Sequence, residues 1–293
     1  MAEQIPVIFD CHGDQLVGLL HQPDRRSETG VLIVVGGPQY RVGSHRQFLL
    51  LARRLAASGI AAMRFDCRGM GDSEGVFPGF EAIGPDIAAA ADAFMAHCPG
   101  LRQIALWGLC DGASAALFHA PADPRICGLV LVNPWMRTET GIARAHLRHY
   151  YPWRLTSRDF WVKLGSGQFR LAASLKSLLH NLRQANPGNP VARPNPGRSL
   201  PDRMADHFER FDGPALLILS GDDLTAREFS DAARRSRRWR RILKSPNVTR
   251  HRITDADHTF SNCRWNEEMI DVTRQWVIAA IHKRTQSFES PSG

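Results

Sequence analysis

The sequence predicts an α/β protein: a mostly parallel central sheet with helices on both faces, interrupted by a helical insertion. Three observations point there. Short apolar runs alternate with stretches of helical periodicity, and parallel strands need such crossover connections. Val31–Val35 is apolar at every position and mostly β-branched, as in a strand buried on both faces. Two of the runs stop at glycine-rich turns, Gly36-Gly37-Pro38 and Gly108-Leu109-Cys110-Asp111-Gly112.

Taken in order, Ile5–Phe9 and Gln15–His21 read as two strands joined around Gly13-Asp14, a turn pair. Val31–Val35 follows, then a helix over His45–Ala57, with Phe48, Leu51 and Leu55 on one face and Ser58-Gly59 ending it. Ile60–Phe65 is the next strand and Phe80–Cys98 the next helix. Ile104–Trp107 runs straight into the Gly108–Gly112 turn and an alanine-rich helix, and Ile126–Asn133 is another buried strand. Ala215–Ser220 and Thr249–Ile253 repeat the strand pattern, each followed by a helix, the last over about Asn266–His282. Between Pro134 and Phe211 the alternation breaks. Helical spacing appears at Glu139–Tyr151, Ser157–Leu164 and Phe169–Gln184, and Asn186–Arg198 is a loop rich in Pro, Asn and Gly. The expected organisation is a core of residues 1–135 and 212–293, with 136–211 a helical cap over the carboxyl edge of the sheet. Open parallel sheets carry their chemistry in the loops beyond the carboxyl ends of the strands.

At 293 residues, 43% hydrophobic and 23% charged, the chain has material for a large core and is neither disordered nor disulfide-stapled. No apolar run approaches the roughly 20 residues of a membrane span, and the first residues lack the order of a signal peptide. The expectation is a cytoplasmic protein. Its 37 basic and 29 acidic residues leave a net charge of +8, with arginines crowded into Arg137–Arg170 and Arg227–Arg252. A basic surface attracts phosphates, but no nucleic-acid motif accompanies it, so a solvated helix face is the expected reading and no nucleic-acid partner is expected. The six cysteines, at 11, 67, 98, 110, 127 and 263, show no metal-ligand spacing. No metal and no cofactor are expected, and most of the thiols should be small buried hydrophobes.

Cys110 differs from the rest. A nucleophile on a tight strand-to-helix turn needs glycine two residues before and after it, because side chains there would strike neighbouring backbone. The helix beginning at that residue turns free N–H groups and a positive dipole end to the site, which stabilises a thiolate; the negative charge of Asp111 partly offsets this. A lone G-x-C-x-G is equally a buried cysteine in a glycine turn. Here two further strand ends carry the partners of an acyl-transfer nucleophile. Gly221-Asp222-Asp223 follows Ala215–Ser220, and Asp255-Ala256-Asp257-His258 follows Thr249–Ile253. The histidine would accept the thiol proton and return it to a leaving group, while an acid fixes its tautomer.

This order and these motifs resemble the α/β-hydrolase family, over about residues 5–135 and 212–283. Asp66-Cys67-Arg68-Gly69-Met70-Gly71-Asp72-Ser73-Glu74-Gly75 resembles the family's D-x-R-G-x-G-x-S-x-G loop after the fourth strand, which shapes the mouth of the site. Within the family, the segments GLCDGAS, VVGGPQYRVGSHRQF, SGDDLTAREF and DADHTFS are similar to the hydrolase 1 associated with the bacterial exosortase A system. That likeness implies a role near exopolysaccharide export and protein sorting. Carried over residue by residue, the family roles fall on Cys110 as nucleophile, His258 as general base and acid, and Asp223 as the orienting acid, with Asp222 as its alternative. Asp255 and Asp257 stand too near the histidine in sequence and are expected to form turns.

The sequence departs from the family in two ways. Most members have serine where Cys110 stands; a thiolate attacks acyl carbonyls well but also leaves readily, which suits esters and thioesters better than amides. The family's oxyanion hole takes one N–H from the residue after the nucleophile, Asp111, and one from the Gly36-Gly37-Pro38-Gln39 loop. Pro38 has no N–H, so Gln39 or Gly37 must supply the second, with Gln39 preferred. The reading is a cysteine-dependent hydrolase of an ester or thioester, its acyl substrate small or carrier-bound. The alternatives are an acyltransferase sharing the acyl-cysteine and a non-catalytic binding protein on the same fold. Arg137, Arg144, Arg148 and Arg154 are candidates for a phosphate-bearing carrier, and Trp135, Trp153, Phe160 and Trp161 for an acyl pocket; surface solvation and cap packing are their plainer roles.

Overall fold

The computed structural model describes residues 3–37, 39–136 and 198–289. The chain begins with β1 (Glu3–Cys11), β2 (Asp14–Gln22), β3 (Thr29–Val34), α1 (Gln47–Ala57), β4 (Ala61–Phe65) and α2 (Gly84–His97). β5 (Gln103–Leu109), α3 (Asp111–His119) and β6 (Ile126–Val132) follow, then α4 (Leu200–Arg210), β7 (Ala215–Ser220), α5 (Leu224–Arg235), α6 (Arg237–Ile242), β8 (Val248–Ile253) and α7 (Cys263–Glu289). The eight strands form one sheet in the order β1-β2-β4-β3-β5-β6-β7-β8. β1 and β2 pair antiparallel, as do β2 and β4, and every pairing from β4 onward is parallel.

Strand alternation explains why the central runs are apolar throughout. Along β3, Leu32 and Val34 join one core layer, with Phe94 of α2 and Ala116 of α3, while Val31 and Ile33 join the other, with Phe48 and Leu51 of α1 and Met269 of α7. β5 divides the same way, Ile104 and Leu106 against Ala105, Trp107 and Leu109. Both faces are covered, so neither can carry a polar side chain without a partner. The order of the sheet reverses at β3, since the chain leaves it for β4 on one side and returns past it to β5 on the other. Helix connections diverge at such a point and open a crevice beyond the strand ends.

The sequence reading places these elements within a few residues, and two differences have physical causes. Leu200–Arg210 forms a helix whose Met204, Ala205 and Phe208 enter the core layer. The chain divides into one compact unit of Met1–Arg137 with Leu200–Gly293 and a second of Thr138–Ser199. The basic run after Arg227 is not one solvated face. It folds as α5, α6 and β8, buries Phe229 and Trp239, and pairs Arg238 with Asp206 and Glu209, Arg241 with Glu209, and Arg227 with Asp222. The helices expected at 139–184, the loop after them, and Arg137, Arg144, Arg148, Arg154, Trp153, Phe160 and Trp161 lie outside the described residues. Among the described residues no helix is long and apolar enough to cross a membrane.

Candidate functional site

The crevice at the end of β5 is built by the absence of side chains. Cys110 leaves the strand with φ 60° and ψ −125°, a conformation costly for any residue but glycine. Its N–H donates to the Val132 carbonyl at 2.9 Å, and its own carbonyl accepts from the Trp135 N–H at 3.1 Å and the Ala113 N–H at 3.1 Å. A Cβ on Gly108 would stand 2.5 Å from Ala113 N, and one on Gly112 would stand 2.6 Å from the Val34 carbonyl oxygen. The glycines of G-x-C-x-G thus let α3 start directly against β3 and β5, with the half-buried Cys110 at its N-cap.

The acid and the histidine meet because β7 and β8 are parallel neighbours whose pairing continues past the strands. Ser220 registers with Ile253, the Gly221 N–H donates to the Ile253 carbonyl at 2.8 Å, and the Asp222 N–H donates to that of Ala256 at 2.9 Å. A Cβ on Gly221 would overlap the Thr254 carbonyl, so only glycine lets the two turns close. Asp223 then caps α5, accepting from the Thr225 N–H at 3.0 Å and the Ala226 N–H at 3.1 Å. The same carboxylate lies 2.9 Å from His258 Nδ1, its side chain 5% exposed and that of His258 31%. The second ring nitrogen is left for Cys110, which is near enough to act on the His258 pKa. Burial works to lower the His258 pKa, but the hydrogen bonds to Asp223 and Cys110 and the negative charge of both outweigh it, raising it to about 10.

Cys110, His258 and Asp223, far apart in sequence, come together. Asp222 does not: its side chain is 76% exposed and pairs with Arg227 at 2.9 Å. Asp257 accepts from the N–H groups of Thr259 and Ser261 and forms a turn, while Asp255 is exposed. The loop after β3 differs from the expectation. The Gln39 N–H donates to the Gly37 carbonyl at 2.8 Å and so is already taken, leaving Gly37 as the loop donor that faces α3. The Gly112 N–H donates to the Asp111 carboxylate at 3.0 Å, and the nearby Gly37 and Asp111 N–H groups pull on the same carboxylate. Burial pushes the Asp111 carboxyl above its ordinary value, against the pull of these N–H groups and of His258. The sequence reading used only the Asp111 backbone N–H and its charge, since the direction of a side chain at a helix start is not legible in a motif.

Two supports were also missed. Asn133 is fully buried at φ 45°; its Nδ2 donates to Ser220 Oγ at 2.9 Å and its Oδ1 accepts from Ser220 N at 2.8 Å. It ties the end of β6 to that of β7, and the one signal for it was a polar residue ending an apolar strand. Asp66, also fully buried, accepts from Arg41 N at 2.7 Å, pairs with the Arg41 guanidinium, and accepts from Asp72 N at 3.1 Å. Arg68 makes a forked pair with Asp86 of α2. The D-x-R-G-x-G segment therefore holds the Gly37–Arg41 loop and anchors itself to a helix. Among the described residues no group of three or more His, Cys, Asp or Glu side chains is placed to hold a metal ion.

The comparisons with known proteins follow the same lines. The family model described as serine aminopeptidase, S33, matches residues 29–262. Among solved structures, an esterase of Pyrococcus furiosus is 16% identical, with a TM-score of 0.64, over 95% of this chain and 91% of that one. A dienelactone hydrolase of Anabaena variabilis is 14% identical, with a TM-score of 0.61, over 95% of this chain and 98% of that one. Est1E of Butyrivibrio proteoclasticus, with ferulic acid bound, is 14% identical, with a TM-score of 0.61, over 94% of this chain and 99% of that one. Among curated proteins none matches the chain. With its sheet order, its strand-to-helix turn and a family match spanning residues 29–262, the chain is an α/β-hydrolase enzyme and belongs to the serine aminopeptidase S33 family.

Proposed function

We propose that the protein is a cysteine-dependent hydrolase of an ester or thioester, working through an acyl-cysteine on Cys110. The observation that carries this is the His258–Asp223 pair, 2.9 Å apart at the carboxyl edge of the sheet, with Cys110 near enough to act on the same imidazole. Asp223 holds Nδ1, so the other ring nitrogen handles the proton. In the first step the Cys110 sulfur bonds to the substrate carbonyl carbon. The bond to the leaving alcohol or thiol then breaks, and that group takes its proton from the His258 imidazolium. In the second step water attacks the acyl-cysteine, giving its proton to His258; the carbon–sulfur bond breaks, the acid leaves, and the pair is restored.

The raised His258 pKa suits this order of events. In the attacking state the proton has passed from Cys110 to His258, so sulfur and imidazolium carry opposite charges and the proton is already placed for departure. Once Cys110 is acylated its negative charge is gone, the imidazole releases its proton more readily, and His258 becomes the base that activates water. An alcohol or amine in place of water makes the protein an acyltransferase by the same intermediate. The names of two similar structures, an esterase and a dienelactone hydrolase, agree with an ester substrate. The resemblance to the exosortase-associated hydrolase 1 supports a role near exopolysaccharide export and protein sorting.

Intact-mass measurement after exposure to a panel of aryl esters and acyl-CoA thioesters tests the reading. An acyl adduct is expected on the wild type and none on Cys110→Ala, with release of the leaving group lost in that variant. Turnover surviving in Cys110→Ala, an acyl group on another residue, or no adduct on either the wild type or Asp111→Ala overturns it.

A further inference from the structure

We infer that the Asp111 carboxylate is a resident plug of the oxyanion hole, which must swing out before a carbonyl can be polarised there; this rests on the acyl-cysteine reading above. An oxyanion hole is a pair of backbone N–H groups aimed at the oxygen of a tetrahedral intermediate. The two that the fold supplies here are those of Gly37, beyond β3, and Asp111, directly after the nucleophile. Both pull on the Asp111 carboxylate, and the Gly112 N–H donates to it at 3.0 Å. A negatively charged oxygen held beside the hole's own donors stands where the substrate oxyanion would stand.

A second observation shows that the loop is shaped around that carboxylate. A Cβ on Gly36 would overlap Asp111 Oδ1, and one on Gly37 would stand 3.8 Å from it. The glycine at 36 thus leaves room for an acid side chain folded back over the start of α3. The loop itself is held from behind by the Arg41–Asp66 pair and by the Arg64 guanidinium, which donates to the Arg41 carbonyl at 2.9 Å. The donors are therefore fixed in place, and the movable part is the carboxylate. An exposed acidic residue at this point in a helix would favour the N-terminus without entering the site; Asp111 is partly buried and turned into it.

The consequence separates two kinds of chemistry at one sulfur. Alkylation by iodoacetamide passes through a transition state with no oxyanion and needs no hole, whereas acylation by p-nitrophenyl acetate needs it. The measurement is the rate of each reaction at Cys110, by intact mass, in wild type, Asp111→Ala and Asp111→Asn, with thermal unfolding as the check on folding. Removing the nearby charge alters thiolate reactivity in both reactions, so the ratio of acylation to alkylation is the readout. That ratio is expected to rise at least about tenfold in Asp111→Ala, in keeping with the hundredfold or greater worth of a single oxyanion donor. A smaller rise is expected in Asp111→Asn, whose neutral side chain still fits the space. An unchanged or lower ratio in folded Asp111→Ala overturns the plug while leaving the acyl-cysteine standing. Alkylation of Cys110 with no acylation in any of the three proteins overturns the acyl-cysteine reading itself.

Discussion

Asp223 performs two tasks with one carboxylate, and the two can be parted by substitution. It caps α5 through Thr225 and Ala226 and orients His258 through Nδ1. Asparagine caps a helix about as well as aspartate, but offers an amide where the imidazole needs an anion. Asp223→Asn is therefore expected to unfold near the wild-type temperature yet to lose about 10³–10⁴-fold in p-nitrophenyl ester turnover, as the wrong tautomer does in a serine triad. Asp223→Ala should lose the cap as well, at a further cost of about 1 kcal/mol. Asp222→Asn removes only an exposed pair with Arg227 and should leave turnover intact. Equal loss in Asp222→Asn and Asp223→Asn would contradict this assignment of the acid. Between two adjacent aspartates sequence alone could rank but not choose, because neighbouring side chains at a strand end point in different directions.

At the scale of elements, the turn joining β5 to α3 stores strain at the proposed nucleophile. Cys110 holds φ 60° because the helix must begin at once, with Gly112 against the Val34 carbonyl. A non-glycine residue in this region costs about 1–3 kcal/mol. Cys110→Gly relieves that strain, less about 0.5–1 kcal/mol for the added freedom of the unfolded chain, whereas Cys110→Ala keeps it. Urea unfolding is thus expected to find the glycine variant more stable than the alanine variant by about 1 kcal/mol, with both inert toward esters. An alanine variant as stable as the glycine variant would show that the turn is unstrained. This element was the most legible in the sequence, since a glycine pattern is a direct record of backbone crowding. The helix Leu200–Arg210 was least legible: it follows a proline- and asparagine-rich loop, and its Met204, Ala205 and Phe208 acquire a meaning only against α3.

For the whole molecule, the site is coupled to stability through its imidazole. His258 binds its proton more tightly in the folded protein, at about 10, than at the ordinary 6.5 of an unfolded chain. The stabilisation is whole below about pH 6.5 and is lost as pH rises through about 10. The stability difference between the wild type and His258→Gln should accordingly shrink from pH 6 to pH 10, as read by denaturant unfolding at each pH. A difference that stays constant over that range would mean that the proton is not held by Asp223 and Cys110. Burial pushes the Cys11 and Cys67 thiols above their ordinary value and Cys98 up to about 11, in the wild type and the variant alike, so they cancel in that difference.

The alternation of apolar runs with helical spacing determined the sheet, its buried faces and the strand ends that carry Cys110, His258 and the acid pair, because burial on two faces and crowding at a turn are written residue by residue. Which aspartate meets the imidazole, which loop N–H is free, and where the Asp111 carboxylate folds were decided only in three dimensions. Those outcomes depend on side-chain direction and on groups brought together from separate elements: Gly221 closing on Thr254, Asn133 clasping Ser220, Arg41 seated on Asp66. No local pattern encodes a hydrogen bond between residues that only the folded sheet makes neighbours.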